Sequence, residues 1–164
     1  MKLVFLDIDG VLVTELALDG RRALGMRGEL IANKACVNAL NHILLSTGAR
    51  IVLSSAWRFC GLEEMKLILA AWGVQGEVVD MIPDLTVSQN GQRHPVQRGE
   101  EIKRFVEEVH IDNSRERIER YVVLDDDWSG FEWHLVGASL IATSSTEGLT
   151  LDQAKAAVTL LSSR

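Results

Sequence analysis

Two aspartates one residue apart, Asp7 and Asp9, close an unbroken apolar run at residues 3–6, and Gly10 follows them. A carboxylate at the end of a buried strand is costly without a partner, and a second one beside it adds repulsion. Such a pair either keeps one proton or takes a cation. Gly10 gives the backbone freedom for a sharp turn or a close approach to a ligand. The same juncture recurs downstream. Ile51-Val52-Leu53 runs into Ser54-Ser55, and Val122-Val123-Leu124 runs into Asp125-Asp126-Asp127. Brought to one rim, these carboxylates would repel one another strongly enough to demand a cation. Oxygen donors without His or Cys select Mg²⁺ over zinc, and Mg²⁺ with open positions is the usual companion of phosphate chemistry. One aspartate can then act as nucleophile by forming an acyl-phosphate, while another protonates the leaving oxygen and later activates water. Ser54 can donate its hydroxyl to a phosphoryl oxygen, and Arg98, just ahead of a helix, is the best-placed cation.

The elements that must position these residues read as buried strands alternating with amphipathic helices. Strands are expected at 3–6, 50–53, 78–79, 121–124 and 138–142. A helix starts at the N-cap Asn33 and stops at Thr47-Gly48; a second covers 61–72 and ends at Gly73. A third spans 100–109, with Ile102, Phe105, Val106 and Val109 on its apolar face, and Thr150 caps the last. Residues 14–33 have no clear period, and 80–97 contain both prolines and Asn90-Gly91, so they read as a flap and a loop insert. Residues 115–120 form a charged link. This alternation predicts an α/β fold, a doubly wound Rossmann-like parallel sheet of five core strands with helices on both faces. The ligand crevice of such sheets lies outside the carboxyl ends of the strands, at the switch point. One domain, 1–164, is expected.

Composition narrows the function classes. The chain has 164 residues, 47% hydrophobic, with a net charge of -6, which gives no general attraction to nucleic acid or anionic membrane. Any polyanion would need a local basic patch or a metal. Two cysteines, Cys36 and Cys60, make neither a disulfide framework nor a metal motif and suit a reducing compartment. The first apolar run is too short for a signal peptide, and no stretch has the length of a membrane span. A cytoplasmic protein with no membrane association and no obligate protein partner is expected. Gly10, Ser55 and Arg58 are the expected substrate contacts. Trp57 has two readings, core packing or a stacking surface for a base. Trp128 and Trp133 read as packing at the rim, and Arg93-His94 as loop surface.

The motifs Asp7-Ile-Asp9-Gly10-Val11, Ser54 after Ile51-Val-Leu, Arg98 before a helix, and Asp125-Asp126 after Val122-Val-Leu resemble, in that order, the haloacid dehalogenase superfamily of phosphotransferases. The resemblance runs from residue 2 to residue 161. Leu53-Ser-Ser-Ala-Trp-Arg58, Arg98-Gly-Glu-Glu-Ile102, Leu124-Asp-Asp-Asp127 and Glu147-Gly-Leu-Thr150 look like the small subgroup of these domains found in RNA-repair proteins. The resemblance implies Asp7 as the nucleophile and Asp9 as general acid and base with its main-chain carbonyl on Mg²⁺. It also implies Ser54 as a phosphoryl ligand and Asp125 and Asp126 as metal ligands. Arg98 stands where most of the superfamily has lysine; it keeps the charge but can hold two oxygens. The intervals flanking Ser54, where larger members carry a cap domain, are mostly core helix and strand here, leaving only flaps. An open crevice favours a phosphate at the end of something large, such as a nucleotide or nucleic-acid end.

Other readings are a small-molecule phosphatase or phosphomutase and a catalytically silent binding module. A receiver-type signalling domain fails on order, because there the accepting aspartate follows a middle strand. A nucleotide kinase is disfavoured because no G-x-x-x-x-G-K-[ST] motif occurs.

Overall fold

The computed structural model describes residues 1–17, 32–89, 92–94, 96–112, 116–127 and 139–163. Most of the expected flap over 14–33, the turn at 90–91, Trp128 and Trp133 lie outside these residues. The chain order is β1 (Lys2–Leu6), α1 (Lys34–Thr47), β2 (Arg50–Leu53), a 3-10 helix (Ala56–Cys60), α2 (Leu62–Trp72) and β3 (Val78–Met81). A hairpin of β4 (Val87–Gln89) and β5 (Gln92–His94) follows, then α3 (Arg98–Ile111), β6 (Arg120–Asp125), β7 (Ser139–Ala142) and α4 (Leu151–Ser162). The main sheet has five strands in the order β3-β2-β1-β6-β7, every neighbouring pair parallel.

Side chains alternate across this sheet as the strand period requires. Val4, Leu6, Ile51, Leu53, Val122 and Leu124 face one layer with apolar residues of α1, α2 and α4. Leu3, Phe5, Val52 and Val123 face the other, with Ile102, Phe105 and Val109 of α3. Phe5 meets Phe105 and Tyr121 edge-on, at centroid separations of 5.6 and 5.4 Å. Burial on both faces is why the strands read as continuous apolar runs.

The helix boundaries follow their caps. Asn33 accepts from the Ala35 N–H at 2.9 Å, and Gly48 ends α1 in the left-handed region at φ 67°. Thr150 and Gln153 form a reciprocal capping box on α4. The described residues depart from the sequence expectation in several places: β3 runs on to Met81, a 3-10 helix follows β2, the insert over 80–97 contains a hairpin, and α3 starts at Arg98 itself and runs on to Ile111. Among the described residues, no helix is long and apolar enough to cross a membrane.

The order reverses between β1 and β6, and the strand exits there are level. Leu6 pairs with Leu53 on one side and Leu124 on the other. The Asp7 N–H donates to the Leu124 carbonyl at 3.0 Å, and the Ser54 N–H to the Leu6 carbonyl at 2.9 Å. Register alone therefore stands Asp7, Ser54 and Asp125 side by side at the rim of the switch point.

Candidate active site

Asp7, Asp125 and Asp126 converge, each offering a carboxylate oxygen within 4.8 Å of the others. Asp7 and Asp125 are buried, Asp126 half-buried. Burial pushes all three carboxyls above the usual carboxylate range. Asp125 is pushed up to about 7, by burial first and the Asp7 charge second. For Asp7 the Ser55 hydroxyl, the Arg98 guanidinium and the Ile8 N–H oppose the rise. The donor set is all hard oxygen, in negative excess, and suits Mg²⁺. Asp127 stands outside the trio; its N–H donates to Asp125 Oδ1 at 2.9 Å and fixes that carboxylate. The Asp9 carboxylate, expected to act as acid and base with its main-chain carbonyl on the metal, accepts a hydrogen bond from Trp57 Nε1 at Oδ2, at 2.9 Å.

Gly10 makes this convergence possible. Its φ is +69°, and a methyl group added there would lie 2.1 Å from Asp126 Cγ. Thr143, the polar residue at the exit of β7, ties the same turn to the acidic strand. Its hydroxyl donates to the Gly10 carbonyl at 2.8 Å and its N–H to the Asp125 carbonyl at 2.9 Å. Thr143 was not among the expected site residues, although the rule that polar residues mark strand exits applies to it equally.

On the other side of Asp7 stand two donors with nothing to bind. Ser54 Oγ and Arg98 Nη1 are buried and have no hydrogen-bond partner among the described residues. Arg98 Nη1 lies 4.0 Å from Asp7 Oδ1. A buried orphan donor costs about 1–3 kcal/mol, so a pair of them beside a carboxylate points to an anionic ligand that completes them.

Two expected substrate contacts have other duties. Ser55 has no exposed surface; its hydroxyl accepts the Trp57 N–H at 3.3 Å and helps hold the Asp7 carboxyl down. Arg58 donates through both terminal nitrogens to Glu101, at 2.7 and 2.8 Å. Glu101 is 2% exposed, accepts a further N–H from Leu85 at 3.2 Å, and lies 3.9 Å from Arg98 Nε. In the sequence it stands inside the Arg98-Gly-Glu-Glu-Ile102 motif with no role of its own assigned. The signal was its place three residues after Arg98 and four before Phe105, at the edge of the buried stripe of α3.

A pH dependence follows from the acidic trio. Asp125 holds its proton to about pH 7 in the folded chain but releases it in the ordinary carboxylate range when unfolded. The folded state then binds more protons between those limits, so stability without a cation falls as pH rises through that window. A divalent cation requires deprotonated ligands, so its stabilisation grows over the same window. Melting temperatures with Mg²⁺ and with chelator should diverge as pH is raised from about 5 to about 8. A gap that is constant, or widest at acid pH, would contradict this assignment.

A family model described as HAD domain in Swiss Army Knife RNA repair proteins matches residues 3–154, a range that includes every site residue from Asp7 to Thr143. No curated protein and no solved structure matches the chain.

Proposed function

The chain belongs to this family of HAD domains of RNA repair proteins, and from that premise we propose that it is a Mg²⁺-dependent phosphomonoesterase working through an aspartyl-phosphate. The carrying observation is the placement of Asp7 between two complementary sets. On one side are Asp125 and Asp126, and on the other the orphan donors of Ser54 and Arg98. Asp7, Asp125 and Asp126, with the main-chain carbonyl of Asp9, would hold Mg²⁺. When bound, the ion neutralises carboxylate and phosphate charge so that the two can approach.

The chain's own residues supply the rest. Ser54 and Arg98 donate to non-bridging phosphoryl oxygens, and a guanidinium can serve two of them. An Asp7 carboxylate oxygen attacks phosphorus while the bond to the leaving oxygen breaks, and Asp9 gives that oxygen its proton. In the second step water attacks the same phosphorus, its proton passes to Asp9, and the Asp7–phosphorus bond breaks. Asp9 thereby returns to its starting state. A silent binding module is disfavoured because every position this cycle uses holds a competent residue.

The substrate reading is a phosphate at the end of a nucleotide or nucleic acid. The family description supports it, as does the slight construction of the insert over 80–97, whose described elements are one short hairpin. A panel of free nucleotides, sugar phosphates and 5′- or 3′-phosphorylated RNA and DNA tests it. Turnover with Mg²⁺, lost with chelator and fastest on nucleic-acid ends, is the expected result. Turnover of small phosphates with none on any nucleic-acid end would overturn the preference.

A further inference from the structure

Asp9 is exposed, on a tight turn whose Val11, Leu12 and Val13 N–H groups all return to the Ile8 carbonyl. An exposed carboxyl is free to rotate, and an acid that wanders loses the alignment proton transfer needs. The indole of Trp57 removes that freedom through its 2.9 Å bond to Oδ2. Trp57 is itself held from three sides. Its ring meets Trp72 at 5.8 Å and an interplanar angle of 69°, and it packs partly buried against the main core. Its main-chain N–H donates to the Ser55 hydroxyl at 3.3 Å.

We propose that Trp57 is a positioning residue that holds Asp9 for proton transfer through its indole N–H, a role that rests on the phosphatase reading above. An indole N–H is an uncharged donor with no acceptor capacity, so it fixes the carboxyl without taking the proton Asp9 must move. It engages Oδ2 and leaves Oδ1 for the leaving oxygen. Through Trp57, the segment that follows β2 orients the second carboxylate of the first motif.

Trp57→Phe keeps an aromatic ring against Trp72 and removes the N–H. Two esters separate positioning of an acid from a merely structural loss. A nitrophenyl phosphate releases a stable anion that needs no proton, whereas an alkyl phosphate releases an alkoxide that does. Because kcat/KM covers only the steps through phosphorylation of Asp7, the shared hydrolytic step does not mask the difference. The variant should lose about 10-fold or more in kcat/KM on the alkyl ester and less than about 3-fold on the nitrophenyl ester. Equal losses, or none, overturn the proposal. The contact also has a readout independent of turnover. The indole N–H proton resonance of Trp57, assigned by its absence in Trp57→Phe, should move upfield in Asp9→Ala. If the unmodified chain hydrolyses neither ester, the phosphatase reading fails, and the proton-transfer role with it. An unmoved resonance removes the contact itself.

Discussion

Asp7→Asn should reduce hydrolysis of an aryl phosphate by about 10³-fold or more while leaving the fold intact. The amide has nearly the shape of the carboxylate and can still accept the Ile8 N–H, which Asp7 Oδ1 receives at 2.7 Å. What it lacks is the nucleophilic oxygen, and no positioning residue can replace that. The same substitution removes a buried charge that helps push the Asp125 carboxyl up to about 7. With chelator present, at a pH above that value, the variant should therefore melt no lower than the unmodified chain, and higher where the repulsion dominates. Lost activity together with retained or raised melting temperature separates a missing nucleophile from a damaged fold. Phosphatase rates near those of the unmodified chain would remove Asp7 from the chemistry and the aspartyl-phosphate with it.

The site's core was legible because it is written at strand exits. A continuous apolar run signals a strand buried on both faces, and the first polar residue after it marks the rim. Asp7, Ser54 and Asp125 follow from that rule, and the register around Leu6 makes them neighbours. The helix limits at Asn33, Gly48, Gly73 and Thr150 were legible for a similar reason, since caps are local chemistry.

The supporting contacts were not, because they join residues far apart in sequence. Trp57 with Asp9 and Arg58 with Glu101 leave no period and no local motif. The 3-10 helix at Ala56–Cys60, capped by Ser55, turns Trp57 towards Asp9 and Arg58 towards Glu101, so residues that read as substrate contacts become part of the frame around the candidate site. The hairpin of β4 and β5 is hidden by its shortness, three residues to a strand, in a segment flanked by prolines.

The consequence of that frame is a large stability effect at a residue the proposed chemistry never touches. Glu101 is a buried carboxylate that accepts both terminal nitrogens of Arg58 and the Leu85 N–H, and lies beside Arg98. The Arg58 and Arg98 side chains are only 16% and 25% exposed, so solvent does little to replace the missing partner. Glu101→Leu should cost about 3 kcal/mol in chemical denaturation, because it leaves partly dehydrated guanidinium charge with only the more exposed Asp84, 3.7 Å from Arg58 Nη2, on that side. Arg58→Met alone should also destabilise, by leaving the carboxylate without its bidentate donor. The double variant should cost clearly less than the sum of the two, since an apolar pair of similar volume relieves both stranded charges. Strict additivity would show that the pair carries no coupling. Activity supplies the other half of the test. In Glu101→Leu, Arg98 loses the acid beside its Nε but keeps its charge, so KM for a phosphate ester should rise more than kcat falls. A fall confined to kcat would place Glu101 in the chemical step instead of in the anchoring of Arg98.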